Sequence, residues 1–398
     1  MTEDELLTNL IAKSLISPHA IEKSKGLQYL LKNVYHKNFS QFQIWGSAER
    51  VYLDLFCRIK DQLKGKQISL TLDDWTSRSN NGYCNINAYL QNNDQVKRYS
   101  LGLIKVHETD GKSLAKSIRE RLGEFNIEPK YLTTDGAKNM RTMSENAGIR
   151  QQLCIVHGIN LLISSLIFTK DHFAETADIS ENYPCDETSA SKETEDLVEN
   201  LDDIQVENAP VFSEFDDKLT GQISNLIKNI RSISVHLSRS TKSRNALRAY
   251  TNLSPIVDMR VRWNSTYLMI SRFNRLIPSI KKAALDNKKI CDKIEFLDKN
   301  KENMVLSLIQ LLKPFYTATV ALSNEKSTLL SADLILSQLY IDMNPRLKKK
   351  FYEKVVSRRT EISDILLYLL KETDGVPFYI QPAKEDIIDV FNYLVIKT

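Results

Sequence analysis

The chain has 398 residues, 42% of them apolar and 26% charged, with a formal net charge of +4. That length accommodates two or three domains with cores of their own, and the composition excludes a chain disordered throughout. The small positive charge permits a nucleic-acid partner without arguing for one.

Five cysteines (Cys57, Cys84, Cys154, Cys185 and Cys291) are scattered and odd in number, which fits a reducing compartment without a disulfide framework. The opening MTEDELLTNL is acidic and lacks the basic region and apolar stretch of a secretory signal. The longest apolar run, INLLISSLIF at 159–168, is about half of what a bilayer crossing requires. An intracellular protein, cytoplasmic or nuclear and without a membrane partner, is expected.

Residues 1–65 carry leucines and isoleucines at helical spacing (Leu6, Leu7, Leu10, Ile11, Leu15, then Val51, Leu53, Leu55, Phe56, Ile59, Leu63) and predict a helical region. From 66 the period changes to two. QISLTLDDW, YCNINAYLQ and RYSLGLIKVHE read as strands, the second and third separated by the hairpin-forming NNDQ. SLAKSIRERLGEF predicts a helix with Ser113 at its N-cap and Leu114, Ile118, Leu122 and Phe125 on its buried face. KYLTTDG predicts a fourth strand and CIVHGINLLISSLI an apolar helix, which closes a region at 66–170. This order gives an α/β fold: a mixed sheet with flanking helices, in which the first and fourth strands lie side by side.

Residues 171–217 are dense in Asp and Glu, with Lys192 the one basic residue, and read as an acidic disordered insertion. A helical, basic region follows at 218–345, and a C-terminal helical segment at 346–398. The charge cluster RLKKKFYEKVVSRR at 346–359 reads as a solvated helix rather than a binding tail.

Two strand ends bear carboxylates: Asp73–Asp74 after ISLTL and Asp135 after YLTT. Paired carboxylates repel unless a hard cation with oxygen preference joins them, as in the two-ion sites of phosphoryl transfer; aspartates at strand ends also cap turns. Trp75 reads as a core anchor for the first strand. Cys154 and His157 fall short of a zinc site, which needs four ligands, and no zinc is expected.

Four motifs in order, LTLDDWTS, TTDGAKNM, CIVHGINL and VRWNSTYLMISR, together resemble the hAT superfamily of DNA transposases and its domesticated relatives. AIEKSKGLQYLLKNVYHKN and LLKPFYTATVALS extend the likeness from about residue 10 to about 330. The resemblance implies an RNase H-like core of the DDE type interrupted by a large all-α insertion. It implies catalytic, metal-holding aspartates at Asp73 and Asp135, with Asp74 in a variable position and Mg²⁺ or Mn²⁺ as the ion. It places His157 near the scissile phosphate, where the residue-level alternative is a packed helix histidine. Arg262 and Trp263 match an Arg-Trp pair that packs against flanking DNA, a tryptophan offering its face for base stacking, where the residue-level alternative is a tryptophan packed between helices. The neighbouring basic run, with Lys242, Arg244 and Arg260, is a DNA-facing surface or a solvated helical face.

The departures are equally specific. The S-x-x-S-E-R-type motif that supplies the third carboxylate and accompanies the dimerisation region is missing, and so is the BED zinc finger. Glu302, Glu325, Glu361 and Glu372 lie in the right half of the chain without the surrounding pattern. The expectation is therefore a transposase-derived, nuclear, nucleic-acid-binding protein that is catalytically inactive and retains at most a vestigial Mg²⁺ site. It would form a homo-oligomer only without the usual dimerisation region. The alternatives are a metal-dependent nuclease that borrows a late or partner-derived glutamate, and a protein-interaction scaffold.

Overall fold

The computed structural model describes residues 2–77, 81–92, 95–106, 110–169, 217–259, 262–324, 327–341, 343, 345–371 and 373–388. They form two compact units, 1–152 and 153–398.

The first unit begins with α1 (Glu3–Ala12), α2 (Pro18–Lys23), α3 (Lys25–Tyr35) and α4 (Gln41–Leu63), as the helical spacing predicts. Capping boxes at Thr2/Glu5 and Ser40/Gln43 satisfy the first amides of α1 and α4. Leu7, Ile21, Leu31, Phe39 and Ile44 form a small core of their own. Three leucines of the helical pattern stay outside it: Leu15, in a left-handed backbone conformation, and Leu53 and Leu55 on α4 are all exposed.

The strands β1 (Ile68–Thr76), β2 (Gly82–Asn92), β3 (Gln95–Val106), β4 (Tyr131–Thr134) and β5 (Arg150–Leu153) build one sheet in the order β3-β2-β1-β4-β5. β1–β2 and β2–β3 are antiparallel, and the second pair closes at Asn92↔Gln95, where the sequence predicts a tight turn. β1–β4 is parallel, and such a pair needs a crossover. Within that crossover lies α5 (Gly111–Phe125), with Leu114, Ile118, Leu122 and Phe125 buried against the sheet core as expected. This is the mixed α/β sheet of an RNase H-like core. The β2–β3 ladder shifts register after Ile86, and its partner Gly102 takes the φ of +105° that the irregularity requires.

Three details depart from the sequence expectation. The N-cap of α5 is Asp110, whose Oδ1 accepts from the amides of Lys112 and Ser113, so Ser113 lies inside the first turn. The strand β5 and the helix α6 (Lys138–Ala147) were not anticipated. α6 is mostly polar and lacks a side-chain cap, and β5 has only four residues. α6 nevertheless seats Met140 and Met143 in the core and approaches α5 closely at Gly111, where any side chain would meet Asn139, Thr142 and Met143.

The second unit is helical: α7 (Ile155–Ile167), α8 (Asp217–Arg239), α9 (Thr241–Arg248), α10 (Trp263–Asp286), α11 (Lys288–Ile294), α12 (Lys299–Leu322), α13 (Leu329–Ile341), α14 (Pro345–Lys354), a single 3₁₀ turn (Val356–Arg358) and α15 (Glu361–Leu370). They share one apolar core to which α7, α8, α10 and α12 all contribute. By length and composition α12 could cross a membrane, yet Val305, Leu308, Leu312 and Phe315 place it in that core. Apart from Asp217, the acidic stretch 171–217 lies outside the described residues.

Two buried ion-pair networks hold the irregular segments of this unit. The guanidinium of Arg231 donates twice to Asp258, at 2.6 Å each, and Thr266 Oγ1 donates to the same carboxylate at 2.7 Å. Arg359 donates to Asp333 and Asp364 and to the carbonyl of Phe378. Its neighbour Arg358 is also buried and donates to the Cys154 carbonyl. The 346–359 cluster is thus not simply solvated, because its two arginines at the C-terminal end are structural. Removing one partner of a buried pair strands the other charge. Asp258→Ala is expected to destabilise the helical unit by about 3–5 kcal/mol, measured by urea denaturation.

Candidate functional site

The parallel register pairs Leu70 with Leu132 and Thr71 with Thr133; carried two residues on, it sets Asp73 level with Asp135. Alternation along β1 gives its residues two destinations. Ile68, Leu70 and Leu72 are buried, while Ser69, Asp73 and Trp75 are exposed on the other face. The two aspartates that the sequence pairs therefore share one face at the tips of adjoining strands. Asp74, left as a variable position by the sequence, turns to the opposite face toward α6.

There Asn139 Nδ2 donates to Asp74 Oδ2 at 3.1 Å. Asn139 lies in the TTDGAKNM stretch, four residues after Asp135, a place to which the sequence reading assigns no role. Asp135 itself closes the turn into α6, its Oδ1 accepting from the Ala137 amide at 2.9 Å, with Gly136 at φ +86°. Gln151 on β5 donates to Thr134 Oγ1 at 2.6 Å and braces the end of β4.

Asp74 thus feels both of the other carboxylates. Burial pushes the Asp74 carboxyl above its usual range; the Asn139 hydrogen bond opposes this, and the charges of Asp135 and Asp73 add to it. Cys84 sits across the ladder from Asp74. Burial, with the negative Asp74 and Asp73 beside it, pushes its thiol up to about 12.

Among the described residues no three His, Cys, Asp or Glu side chains gather as a metal site would need. Asp73 and Asp135 are two ligands on one face, and the third carboxylate of the cluster faces away. Among the described residues this face lacks the further ligands that a two-ion pocket needs. His157 lies half-buried on α7 in the second unit, two residues after Ile155 enters the apolar core. The glycine after it, Gly158, has a packing reason: a Cβ there would overlap Arg358 Cδ and the Lys354 carbonyl, each at 2.7 Å.

One tryptophan departs from the sequence expectation, and the other takes the packed of its two readings. Trp75 is not a core anchor. It is 44% exposed and stacks on Tyr83 across the β1–β2 ladder at 6.0 Å. Trp263, for which DNA stacking and packing between helices are the two sequence readings, is 2% exposed and packs edge-on against Tyr316 and beside Tyr267. Base stacking needs an open ring face, so Trp263 is a core residue here. Arg262 beside it is exposed, and Arg260 lies outside the described residues.

The basic run likewise divides. Arg231 and Arg272 are buried structural groups, and Arg244 turns back to the Ser238 carbonyl. Lys242, Arg239, Lys289 and Lys293 are exposed. Lys293 donates to Ser232 on α8, and Lys289 and Lys293 stand close enough to His236, which burial already holds low, to lower its affinity for a proton further. His236 in turn contacts Ser243 on α9 at 2.8 Å. α8, α9 and α11 therefore present one basic surface.

No family model matches the chain. It is 25% identical, over 308 residues, to a Talaromyces stipitatus protein named as a candidate transcriptional regulator, tpeD; the match covers 72% of this chain and 33% of that protein. The chain thus spans about a third of that relative's length.

The raised Asp74 carboxyl has a definite sign. The folded state holds the proton to higher pH than the unfolded chain, so the stability from this group is present below the unfolded value and lost as pH rises through the folded one. At neutral pH the ionised group opposes folding. Asp74→Asn should raise the thermal midpoint at pH 7 by on the order of 1–2 °C, and the gain should vanish below about pH 3.5. Calorimetry across pH checks this. Iodoacetamide labelling followed by mass spectrometry should modify the exposed Cys57 and Cys291 in the folded protein and spare Cys84, whose buried thiol holds its proton.

Proposed function

We propose that this chain is a hAT-transposase-derived nuclear protein that binds DNA through its helical unit and does not cut it. The reading is carried by one observation: Asp73 and Asp135 stand level on a parallel strand pair, at one face of an RNase H-like sheet, without a third carboxylate on that face among the described residues. The four ordered motifs supply the lineage. The name of the Talaromyces relative supports a regulatory role in the nucleus.

The binding surface is the exposed basic set on α8, α9 and α11, namely Arg239, Lys242, Lys289 and Lys293, with Arg262 nearby in sequence to Trp263. Phosphate contacts release counterions, so affinity must fall with salt in proportion to the number of contacts. In fluorescence anisotropy with a duplex oligonucleotide, the triple variant Lys242→Ala, Lys289→Ala, Lys293→Ala should bind at least ~10-fold more weakly, with the salt slope reduced by about 3. Trp263→Phe should leave DNA affinity unchanged. A wild-type affinity that is absent at low salt would favour a protein-interaction scaffold instead. Mg²⁺- or Mn²⁺-dependent nicking above an Asp73→Ala control would restore the nuclease reading.

A further inference from the structure

The chain's net charge of +4 hides a segregation. Of the 46 residues from 171 to 216, 15 are Asp or Glu and one is Lys, a net charge of −14. The remaining 352 residues therefore carry +18. Part of that excess is gathered on two helices. α9 (TKSRNALR) and α11 (KKICDKI) hold six cations, Lys242, Arg244, Arg248, Lys288, Lys289 and Lys293, against the single carboxylate Asp292. Both helices lie beside the C-terminal half of α8: His236 contacts Ser243 of α9 at 2.8 Å, and Lys293 donates to Ser232 at 3.1 Å. The field reaches into the fold, where Lys293 and Lys289 add to burial in lowering the proton affinity of His236. Like charges so gathered repel one another, and a polyanion relieves that repulsion.

The acidic stretch is joined to this surface by the chain itself. It leads into Asp217, the first residue of α8, and the basic surface lies toward the other end of that helix. The 23 residues of α8 span about 33 Å. Forty-six residues reach at most on the order of 150 Å, so a path along α8 to Arg239 and back uses less than half of their length. An anion on the same chain binds intramolecularly, at an effective concentration far above that of a separate one. We infer that residues 171–216 occupy the basic surface of α8, α9 and α11 when no nucleic acid is bound, so that a phosphate backbone must displace a polyanion of the same chain. The inference deepens the DNA-binding reading of that surface by naming its competitor, and rests on that reading for the identity of what displaces it.

Lysine acetylation with sulfo-NHS-acetate, read by mass spectrometry on the full chain without DNA, tests it. The comparison is a variant with Asp186→Asn, Glu187→Gln, Glu193→Gln, Glu195→Gln, Asp196→Asn, Asp202→Asn and Asp203→Asn. At about 50 mM salt, Lys242, Lys289 and Lys293 should react at least ~3-fold more slowly in the wild type than in this variant. The difference should vanish at about 1 M salt, where screening acts within ~3 Å, a check that needs no variant. Lys349 and Lys350 on α14 should react alike in both proteins. The variant should also bind a duplex oligonucleotide at least ~10-fold more tightly at the lower salt. Equal labelling of the three lysines in both proteins, or protection of Lys349 and Lys350 in their place, overturns the inference. Slow labelling of the three in a protein that binds no DNA at low salt keeps the inference and removes the DNA reading. Equal labelling with equal DNA affinity in both proteins does the reverse.

Discussion

Parallel neighbours cannot be joined by a turn, and the organisation of the first unit follows from that constraint. β1 and β4 lie side by side in the same direction, so the chain between them must leave the sheet and return. It does so through the hairpin arm β2–β3 and through α5, whose apolar face covers the sheet. The return delivers both strand tips to one edge, and the aspartates that end the two strands arrive together without any local preference for doing so. The pairing of Asp73 with Asp135 is a property of topology before it is one of chemistry.

In the helical unit the corresponding role falls to buried charge. The segment between α9 and α10 has no regular structure, yet Asp258 within it is held by Arg231 and Thr266 and is almost wholly enclosed. Arg272 reaches the carbonyl of Ser254 in the same segment. A buried ion pair contributes little net stability compared with apolar residues of the same volume, but it tolerates only one arrangement of its partners. It therefore fixes the path of a segment that hydrophobic packing alone would leave free, and with it the entry of Trp263 into the core.

Much of this was legible in the sequence. The period-two pattern marked the first three strands, TTD marked the fourth, and Leu114 to Phe125 marked the covering helix, because each buries a continuous apolar face. β5 and α6 are the least legible: β5 is four residues long, and α6 carries its helical period only in Met140, Met143 and Ala147 among polar residues. The two tryptophans show how spacing places a side chain. Trp75 shares parity with Ser69 and Asp73, so alternation alone sends it outward with them. Trp263 stands at i, i+4 and i+7 with Tyr267 and Ile270, a stripe of residues that all prove buried. In both cases the residue type suggested one role while its spacing specified another, and spacing decides where a side chain goes.

The doubled aspartate shows the same logic at a single step of the chain. Adjacent residues of a strand cannot face the same way, so Asp73-Asp74 offers one carboxylate to each side of the sheet. On the open side Asp73 stands level with Asp135. On the packed side Asp74 takes the amide of Asn139 on α6. Burial there makes Asp74 harder to ionise and two like charges add to that, while the Asn139 bond opposes them. Its bond to Asn139 ties α6, the helix that follows Asp135, to the end of β1. Asp74 thus serves the open face without reaching it.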